Sequence, residues 1–459
     1  MLPDSSIDEF LSSACELVWG WPLIASIMII GIYLSFKLGI LRFSSLRLSM
    51  KSILGHEDCD GDISVFASLC TALSSTIGTG NIVGIAVAIS IGGPGSLFWL
   101  WISSIFTFAI KYAEGLLSIK YRKIGQDGTI SGGPMYYIEL GMKKNAALAK
   151  ILAKSFAIFG AIVTLLGTGT FAQSNSISMA FHAFGVPTIF SAIVIGVLAA
   201  IITFGGLRRI AAVSERLVPA MAIFYVGSAI LVLLLNISDI PHVFYLILTS
   251  AFAPEAVLGC GVGVSISHIV SVGVRRGIFS HESGLGSSAI ASATAKTTSP
   301  ARQGFVSMAG SIFSVIICTM TGLVLILTRD ATEIFSNSCG LKGVTLTSCA
   351  FGHGIGIPAL GEYVVDIGII LFAFTTIIGW NYYGEKCIQY VFGDKAITPF
   401  KILYIACVTA GPFFSINTIL LIADIFTGIM ALTNLVGIIN LRDIIIEETR
   451  RFWKSHHNS

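Results

Sequence analysis

Long apolar runs separated by short polar segments cover almost the whole chain, and they lack the two-residue alternation of a β-barrel. Most runs approach or exceed the roughly 20 residues that an α-helix needs to cross a bilayer. The pattern predicts an all-α membrane protein with about eleven transmembrane helices. The predicted spans are residues 17–41, 65–91, 96–121, 150–184, 188–204, 211–235, 241–274, 305–328, 362–390, 397–410 and 415–441.

Two of these apolar runs are interrupted in the middle. The run 65–91 contains Gly78-Thr79-Gly80-Asn81, and the run 241–274 contains Ala-Pro-Glu at 253–255 and a glycine-rich stretch at 259–263. A break frees backbone groups at hydrocarbon depth, which is tolerated where they face a cavity and bind something. Two broken helices at corresponding places indicate the substrate site of a secondary transporter.

The order of the spans predicts an internal repeat within a single domain, 1–459. If 17–41 is an extra N-terminal helix, the broken helices are the first and the sixth of the remaining ten. The repeats are then 65–235 and 241–441, followed by a cytoplasmic tail at 442–459. Because each repeat has five helices, the second is inverted, as in the 5+5 inverted repeat of the leucine-transporter (LeuT) type.

Composition and charge agree with this topology. The chain is 54% hydrophobic and 12% charged, about half the charge of a soluble protein, with a mean hydropathy of +0.86. With the N-terminus outside, 25 of 28 Lys and Arg residues fall in inside loops or at the inner ends of the spans, which predicts a cytoplasmic C-terminus. The net charge of +3 is therefore topological and does not indicate nucleic-acid binding. The acidic flank and the length of the first span exclude a cleavable signal peptide.

The two breaks suit a zwitterionic amino acid. The half-helices beginning near Asn81 and near Gly263 offer free N–H groups and positive potential to a carboxylate. The ammonium needs acceptors, and Gln173 and Asn81 are the nearest neutral amides. Lys111 is the only basic residue more than five residues from either end of a predicted span, so the predicted site needs no basic side chain.

A coupling cation such as Na⁺ needs oxygen ligands. Thr375 and Thr376 in the ninth span, with the hydroxyl residues at 74–76 and 79 in the first broken helix, form one possible cage. The alternative is that these hydroxyls bond to carbonyls of their own helices, and spacing alone favours it. Trp380 lies one turn after Thr376 and either walls the pocket or belongs to an interfacial belt.

Other intramembrane polar residues leave alternatives open. Asp366 and Asp424 are each expected either to carry a proton or to bond to backbone groups at a helix end. Lys111 and Glu114 are three residues apart and are expected to neutralise each other. The polar segment 281–300 is expected to be a long inside loop.

Nothing within the spans resembles the clustered nucleophiles, acid–base groups or metal ligands of an intramembrane enzyme, and glycine-rich breaks favour a carrier over a channel. Cys339 and Cys349 share an outside loop, where they are either paired or free.

Several sequence blocks together carry a resemblance to a known family. They are GTGNI at 78–82, GGPG at 92–95, KYAEG at 111–115, GGPMYY at 132–137, the block 273–288 that contains GVRRGIFSHESGLGSS, and FAFTTIIGWNYYGE at 372–385. With these blocks the chain resembles the alanine or glycine:cation symporters, also called sodium:alanine symporters. It departs from the family's usual Asn-Glu-Ala-Gly-Leu-Gly with His281-Glu282-Ser283-Gly284-Leu285-Gly286, and it has Cys260 where smaller residues are usual.

The resemblance implies a LeuT-type fold and import of alanine, glycine or a similarly small amino acid with Na⁺ by alternating access. It implies a multi-pass protein of a bacterial inner membrane, with the bilayer and no nucleic acid as surroundings, no cofactor besides Na⁺, and function as a monomer. An H⁺-coupled carrier of small amino acids is the alternative. The implied substrate-binding residues are Thr79, Gly80, Asn81, Gln173, Phe252, Gly261, Gly263 and Trp380. The implied Na⁺ ligands are Thr76, Thr375 and Thr376, since the resemblance outweighs the spacing argument.

Overall fold

A computed structural model describes residues 4–54, 61–125, 128–167, 169–252, 265–329, 343–414 and 417–457, most of which are helical. The first ten α-helices are α1 (Asp4–Val18), α2 (Trp21–Leu38), α3 (Phe43–Leu54), α4 (Val65–Thr76), α5 (Val83–Gly92), α6 (Gly95–Lys120), α7 (Pro134–Gly141), α8 (Ala146–Leu166), α9 (Phe171–Ala183) and α10 (Thr188–Thr203). The others are α11 (Gly206–Leu235), α12 (Ile240–Ser250), α13 (Ile266–His281), α14 (Ala289–Ser292), α15 (Pro300–Leu327), α16 (Val344–Ile355), α17 (Pro358–Phe392), α18 (Ile397–Ala410), α19 (Asn417–Asn440) and α20 (Arg442–His457).

Strand structure is confined to one small hairpin in the part of the chain that is described. Strand β1 (Lys123–Ile124) pairs antiparallel with β2 (Ile130–Ser131), so that Lys123 lies opposite Ser131. Short 3₁₀ turns join several helices. They are Thr79–Asn81, Lys143–Asn145, Ile237–Asp239, Asp394–Ala396 and Gly411–Phe413.

Eight helical segments are long and apolar enough to cross a bilayer, and α4 with α5 adds a ninth as one bent span. These counts refer to the described ranges only, so the predicted number of eleven is not confirmed. The tenth candidate, α10, has 16 residues. The predicted span 241–274 corresponds to α12 and α13, and residues 253–264 between them lie outside the described part of the chain.

Two predicted spans can be compared directly with the helices. The predicted end at Gly411-Pro412 is confirmed, because α18 stops at Ala410 and a 3₁₀ turn follows. The predicted span 150–184 corresponds to one candidate span, Lys143–Ala183. Within it α8 ends at Leu166 and α9 begins at Phe171, and the backbone of Gly167 is far from helical (φ −125°, ψ −110°), so this span contains an interruption that was not predicted.

Small residues set the spacing of the central helices α6 and α15. A side chain on Gly304 would approach the backbone oxygen of Tyr112 to 2.8 Å, and one on Gly115 would approach the carbonyl of Gln303 to the same distance. Lipid supplies no hydrophobic force between helices, so close van der Waals contact of this kind holds them together. The pair α6 and α15 therefore forms a rigid centre against which α4 and α13 pack.

The polar segment between α13 and α15 differs from its prediction. It was expected to be a solvated loop, but residues 282–299, here called the buried polar segment, lie mostly inside the bundle. The Glu114 carboxylate accepts hydrogen bonds from the N–H groups of Gly284 (2.9 Å) and Gly286 (3.1 Å) and from the Asn434 amide (2.8 Å). The predicted pair with Lys111 is confirmed at 3.6 Å. A buried polar segment is stable because a carboxylate satisfies its backbone donors.

A second clamp joins the buried polar segment to the start of the first broken helix. The Arg122 guanidinium donates to the carbonyl oxygens of Ala293 (3.2 Å), Ala295 (2.8 Å) and Thr297 (3.2 Å). Ala295 also pairs with Ile63, just before α4. The segment therefore holds the ends of α4, α6 and α15 in one place.

Candidate functional site

The first predicted break is a bend of 66° between α4 and α5. Helix α4 ends at Thr76, and Ile77 has an extended backbone (φ −89°, ψ 95°) that cannot continue the helix. A 3₁₀ turn over Thr79–Asn81 follows, and α5 begins at Val83. The break therefore exposes several backbone groups in the interior of the bundle, as the sequence predicts.

Asn81 lies in this break, and its amide is engaged on both sides by the protein. The side-chain oxygen accepts the Gly78 N–H (3.3 Å), while the side-chain nitrogen donates to the Ser314 hydroxyl (2.7 Å) and the Ser280 carbonyl (3.3 Å). Thr321 also donates to the Asn81 carbonyl (3.2 Å). Asn81 therefore fixes the shape of the break. Sequence reasoning expected a free acceptor here and did not single out Ser314 or Thr321.

Two backbone donors remain open in the same turn. The N–H groups of Thr79 and Gly80 have no acceptor among the described residues. Both residues are half-buried, so these donors lie in a partly shielded place. Two adjacent free N–H groups at a break form a binding place for an anionic group.

Arg276 reaches this turn from α13, a contact that the sequence does not predict. Its guanidinium donates to the Gly80 carbonyl and occupies the space that a side chain at position 84 would need. The charge pattern assigns Arg276 to an inside loop, and the prediction needs no basic side chain at the site, yet a guanidinium lies beside the break. The signal in the sequence is Gly84, a glycine one turn after the break in an otherwise branched apolar half-helix.

Gln173 faces the break from α9, as predicted. The side chain is 4% exposed, and its oxygen has no hydrogen-bond partner among the described residues. A side chain at Gly78 would lie 3.6–3.7 Å from both atoms of the Gln173 amide and 2.7 Å from the Thr376 hydroxyl. The structure thus brings the first break, Gln173 and Thr376 together around Gly78.

The three predicted Na⁺ ligands separate in the structure. The Thr376 hydroxyl lies 3.4 Å from the Ile77 carbonyl in the break and 2.9 Å from the Phe372 carbonyl in its own helix. Thr375 points away and contacts the Met221 sulfur at 3.6 Å. Thr76 donates to the carbonyl of Ala72 in its own helix (3.0 Å) and lines a separate cavity. Only Thr376 therefore lies at the break.

Trp380 is buried on α17, beside the interruption between α8 and α9. A side chain at Gly169 would lie 2.8 Å from the Trp380 Cβ, and the indole N–H has no partner in the described part of the chain. This position excludes the interfacial alternative. The next residues, Asn381 and Tyr382, are also buried with side-chain polar atoms that lack described partners. Sequence reasoning quoted this block as a family motif without recognising its unsatisfied polar groups.

The second break supplies less to the described site. Phe252 is 58% exposed and packs edge-on against Phe98 (5.2 Å) and Trp99 (5.8 Å) on α6. The predicted residues Gly261 and Gly263, like Cys260, lie outside the described residues. Cys339 of the predicted cysteine pair lies outside them as well.

The two intramembrane aspartates have different surroundings. Asp424 interacts electrostatically with Arg275 and Arg276 of α13. Asp366 is 6% exposed, lines a cavity with Glu362 and His353, and has no hydrogen bond or ion pair with any described residue. Within the described ranges no group of three or more His, Cys, Asp or Glu side chains is placed to hold a metal ion.

Comparison with known proteins gives one consistent family. The sequence pattern of the Sodium:alanine symporter family matches residues 4–459. An uncharacterized transporter of Haemophilus influenzae is 44% identical, over 98% of this chain and 97% of its own. The sodium/alanine symporter AgcS of Methanococcus maripaludis is 39% identical, over 97% of each chain. The probable sodium/glutamine symporter GlnT of Bacillus subtilis is 34% identical, over 96% of this chain and 89% of its own.

Solved structures agree on the fold. The transporter MhsT, solved in complex with L-phenylalanine, superposes with a TM-score of 0.55 at 14% identity, covering 87% of this chain and all of its own. A manganese transporter of Eremococcus coleocola has a TM-score of 0.51 at 12% identity, with coverage of 84% and 80%. Identity this low shows the fold alone, which is the predicted LeuT-type transporter fold.

Proposed function

Because this chain belongs to the sodium:alanine symporter family, we propose that it imports alanine, glycine or a similarly small amino acid with Na⁺ by alternating access. It is a membrane transporter and not an enzyme. We place it in a bacterial inner membrane as a monomer, with the N-terminus outside and the C-terminus in the cytoplasm. The distribution of basic residues supports this orientation.

The observation that carries the proposal is the unpartnered oxygen of Gln173 opposite Gly78. A buried amide oxygen without a donor costs roughly 1–3 kcal/mol, so a protein retains one where a ligand supplies the donor. An amino-acid ammonium group is such a donor. Because Gly78 has no side chain, the ammonium has room between the break and α9.

The carboxylate of the substrate fits the other side of the break. The N–H groups of Thr79 and Gly80 are free donors, and the Arg276 guanidinium lies against the same turn. Together they provide two hydrogen bonds and a positive charge. A zwitterion would then lie along the break with its two charged ends separated by the turn.

Thr376 and the Ile77 carbonyl are the proposed start of a Na⁺ site. Hard cations take oxygen ligands, and backbone carbonyls at an unwound segment with a nearby hydroxyl are a recurring arrangement in transporters of this fold. The two oxygens are 3.4 Å apart, which allows one ion to contact both. Na⁺ binding there joins α4 to α17.

Trp380 supports a limit on substrate size. A side chain at Gly169, near the start of the helix that carries Gln173, would lie 2.8 Å from the Trp380 Cβ, so the chain before α9 and α17 approach each other closely here. The relative GlnT is named as a probable sodium/glutamine symporter, and glutamine has a larger side chain than alanine. We infer that the Trp380 wall restricts this chain to a methyl-sized side chain.

Uptake of labelled alanine and glycine into vesicles that contain the purified protein tests the proposal. With Na⁺ outside we expect accumulation above that of empty vesicles, and with choline in place of Na⁺ we expect it to disappear. Gln173→Leu should abolish most uptake at equal protein content. Accumulation that is equal in Na⁺ and in choline would contradict Na⁺ coupling.

Coupling to H⁺ is the second candidate, because Asp366 is a buried carboxylate without a described partner. A carboxylate that faces a cavity in a transporter is able to carry a proton between the two sides. In the same vesicles an inward proton gradient without Na⁺ should then drive uptake, and Asp366→Asn should remove this uptake. Asp424 differs from Asp366 because Arg275 and Arg276 lie close enough to interact with it electrostatically.

A further inference from the structure

A cleft runs along the surface of the bundle between α2 and the last two helices, α19 and α20. Its first part is an apolar groove of about 200 Å³. The side chain of Ile29 on α2 is 66% exposed and that of Ile439 on α19 is 41% exposed, so in a bilayer the groove is open to the lipid. The other apolar side chains of its walls are Ile30, Tyr33, Leu34 and Ile438. The proposed transport mechanism assigns no role to α2 or to this cleft.

The second part of the cleft is a polar pocket of about 450 Å³ at the C-terminal end of α2. On α2, Leu34 of the groove is one turn from Lys37 of the pocket. On α20, Arg442 of the groove is one turn from Ile446 of the pocket. The groove and the pocket therefore share both walls. The basic residues that line the pocket are Lys37, Arg42 and Arg450.

The three basic side chains of the pocket are not compensated by the described part of the protein. All three are exposed, and they make no side-chain hydrogen bond or ion pair with any described residue. The lining of the pocket includes no Asp or Glu residue of the described chain. The nearby acids of α20 pair with other cations, Glu448 with Lys120 at 2.8 Å and Glu447 with Arg451. The pocket therefore attracts an anion.

Both walls of the cleft are fixed on the central helix α6. On one side the Ser35 hydroxyl of α2 donates to the Phe106 carbonyl at 3.2 Å. On the other side the Thr449 hydroxyl of α20 is hydrogen-bonded to the Tyr112 hydroxyl at 2.9 Å. The width of the cleft is thus set by the protein, and its volume is within the roughly 300–1,000 Å³ that is usual for preformed ligand sites.

We propose that the cleft binds one anionic phospholipid of the inner leaflet, with an acyl chain in the groove and the headgroup phosphate between Lys37, Arg42 and Arg450. An apolar groove at hydrocarbon depth that continues into a basic pocket matches the two parts of such a lipid. The pocket lies at the predicted cytoplasmic ends of its helices, where anionic lipids gather beside basic segments. The proposal does not depend on which amino acid or ion is transported.

Thermal unfolding of the purified protein in a neutral detergent, at constant ionic strength, tests which part of the lipid is bound. Phosphatidylglycerol, phosphatidylcholine and glycerol 3-phosphate are added separately. We expect phosphatidylglycerol to raise the unfolding temperature to a plateau, phosphatidylcholine to need at least tenfold more lipid, and glycerol 3-phosphate to have no effect. Equal effects of the two lipids would overturn the role of the basic pocket. A full effect of glycerol 3-phosphate would identify a site for soluble anions instead.

A charge-matched pair of variants tests the pocket. Lys37→Gln with Arg450→Gln should raise the half-maximal phosphatidylglycerol concentration roughly tenfold or more, because both charges are at the headgroup. Arg47→Gln with Lys51→Gln removes the same two charges from exposed positions of α3 outside the cleft, and it should behave like the wild type. Equal shifts in the two double variants would mean that the basic surface attracts lipid without a specific site.

A size-matched pair tests the groove without changing any charge. Ile439→Trp fills the groove from α19 and should also raise the half-maximal phosphatidylglycerol concentration about tenfold. Leu432→Trp, two turns earlier on α19 and equally exposed at 41%, lies outside the groove and should leave it unchanged. If the double variant of the pocket folds poorly, this pair gives the answer, because both positions already face the lipid. An Ile439→Trp protein that binds phosphatidylglycerol like the Leu432→Trp protein would overturn the proposal.

Discussion

The buried polar segment and the first break both place polar groups in the interior of a helical bundle, but they differ in how those groups are satisfied. In the buried polar segment the backbone donors of Gly284 and Gly286 meet the Glu114 carboxylate, and Arg122 serves three carbonyls. In the break the Gln173 oxygen has no described partner. The paired backbone groups hold the buried polar segment in place, whereas the unpaired Gln173 oxygen beside the break is available to a ligand.

Removal of the central acceptor of the buried polar segment should have the largest effect. Glu114→Leu leaves Lys111, two N–H groups and the Asn434 amide without their partner, and we expect a loss of about 3–5 kcal/mol of stability and little folded protein. Thermal unfolding and yield in membranes measure this. The double change Lys111→Met with Glu114→Leu should recover part of the loss. If Glu114→Leu alone is as stable as the wild type, the segment is not scaffold.

The neighbouring hydroxyls Thr375 and Thr376 allow a matched test at the break. Thr376→Ala removes a hydroxyl beside the Ile77 carbonyl, and we expect the Na⁺ concentration for half-maximal alanine uptake to rise by roughly 10-fold or more, from about 1.5–3 kcal/mol for a bond to a charged group. Thr375→Ala faces Met221 and should leave this concentration unchanged. Equal effects of the two changes would place the ion elsewhere.

Gln173→Leu tests whether the unpartnered oxygen is part of the site. Folding should be retained, because no described protein group loses a bond to that oxygen, while alanine binding should weaken by about 1–3 kcal/mol, or roughly 5- to 150-fold. Binding of labelled alanine to purified protein measures the affinity directly. If thermal stability falls and the affinity of the remaining protein is normal, Gln173 joins helices and does not bind substrate.

Trp380→Ala should change selectivity, the smallest of these effects on transport, although truncating this buried side chain costs about 3–5 kcal/mol of stability. Unlabelled leucine should then inhibit alanine uptake several-fold better than in the wild type, because an apolar wall discriminates by about 1–3 kcal/mol per methylene unless it overlaps the ligand. Trp380→Phe keeps most of the wall and should stay close to the wild type. Equal inhibition by leucine in all three proteins would assign the indole to packing with Tyr383, 5.5 Å away.

The sequence predicts those features that depend on local chemistry. Continuous apolar runs predict most of the spans, and Gly78 with Gly80 predicts the first break, where a side chain at Gly78 would lie 2.7 Å from the Thr376 hydroxyl. Gln173 and Thr376 followed from the family resemblance, and the structure places both at the break. The type and order of the residues along the chain are sufficient to predict features of this kind.

Features that depend on distant contacts were missed. Arg276 follows the rule for loop charges, and only the packing of α13 on α5 brings it to Gly80. The buried polar segment has the composition of a loop, and Glu114, 170 residues before Gly284, is the reason it is buried. The interruption before Gln173 was missed although Gly167-Thr168-Gly169-Thr170 repeats the Gly-Thr-Gly pattern of the first break.

The close contact at Gly379 affects how readily the transporter switches between the states open to the two faces of the membrane. The backbone of α17 touches α4 at Ser74 and Ser75 so closely that any side chain at 379 would overlap their hydroxyls, and both hydroxyls turn back to the Thr71 carbonyl of α4. At Gly379 itself the contact between the two helices is one of close packing, and the dispersion attraction of such a contact is lost gradually on separation. A difference of one or two kcal/mol in ligand affinity would then be enough to decide which face of the membrane the carrier is open to, since populations shift about tenfold per 1.4 kcal/mol.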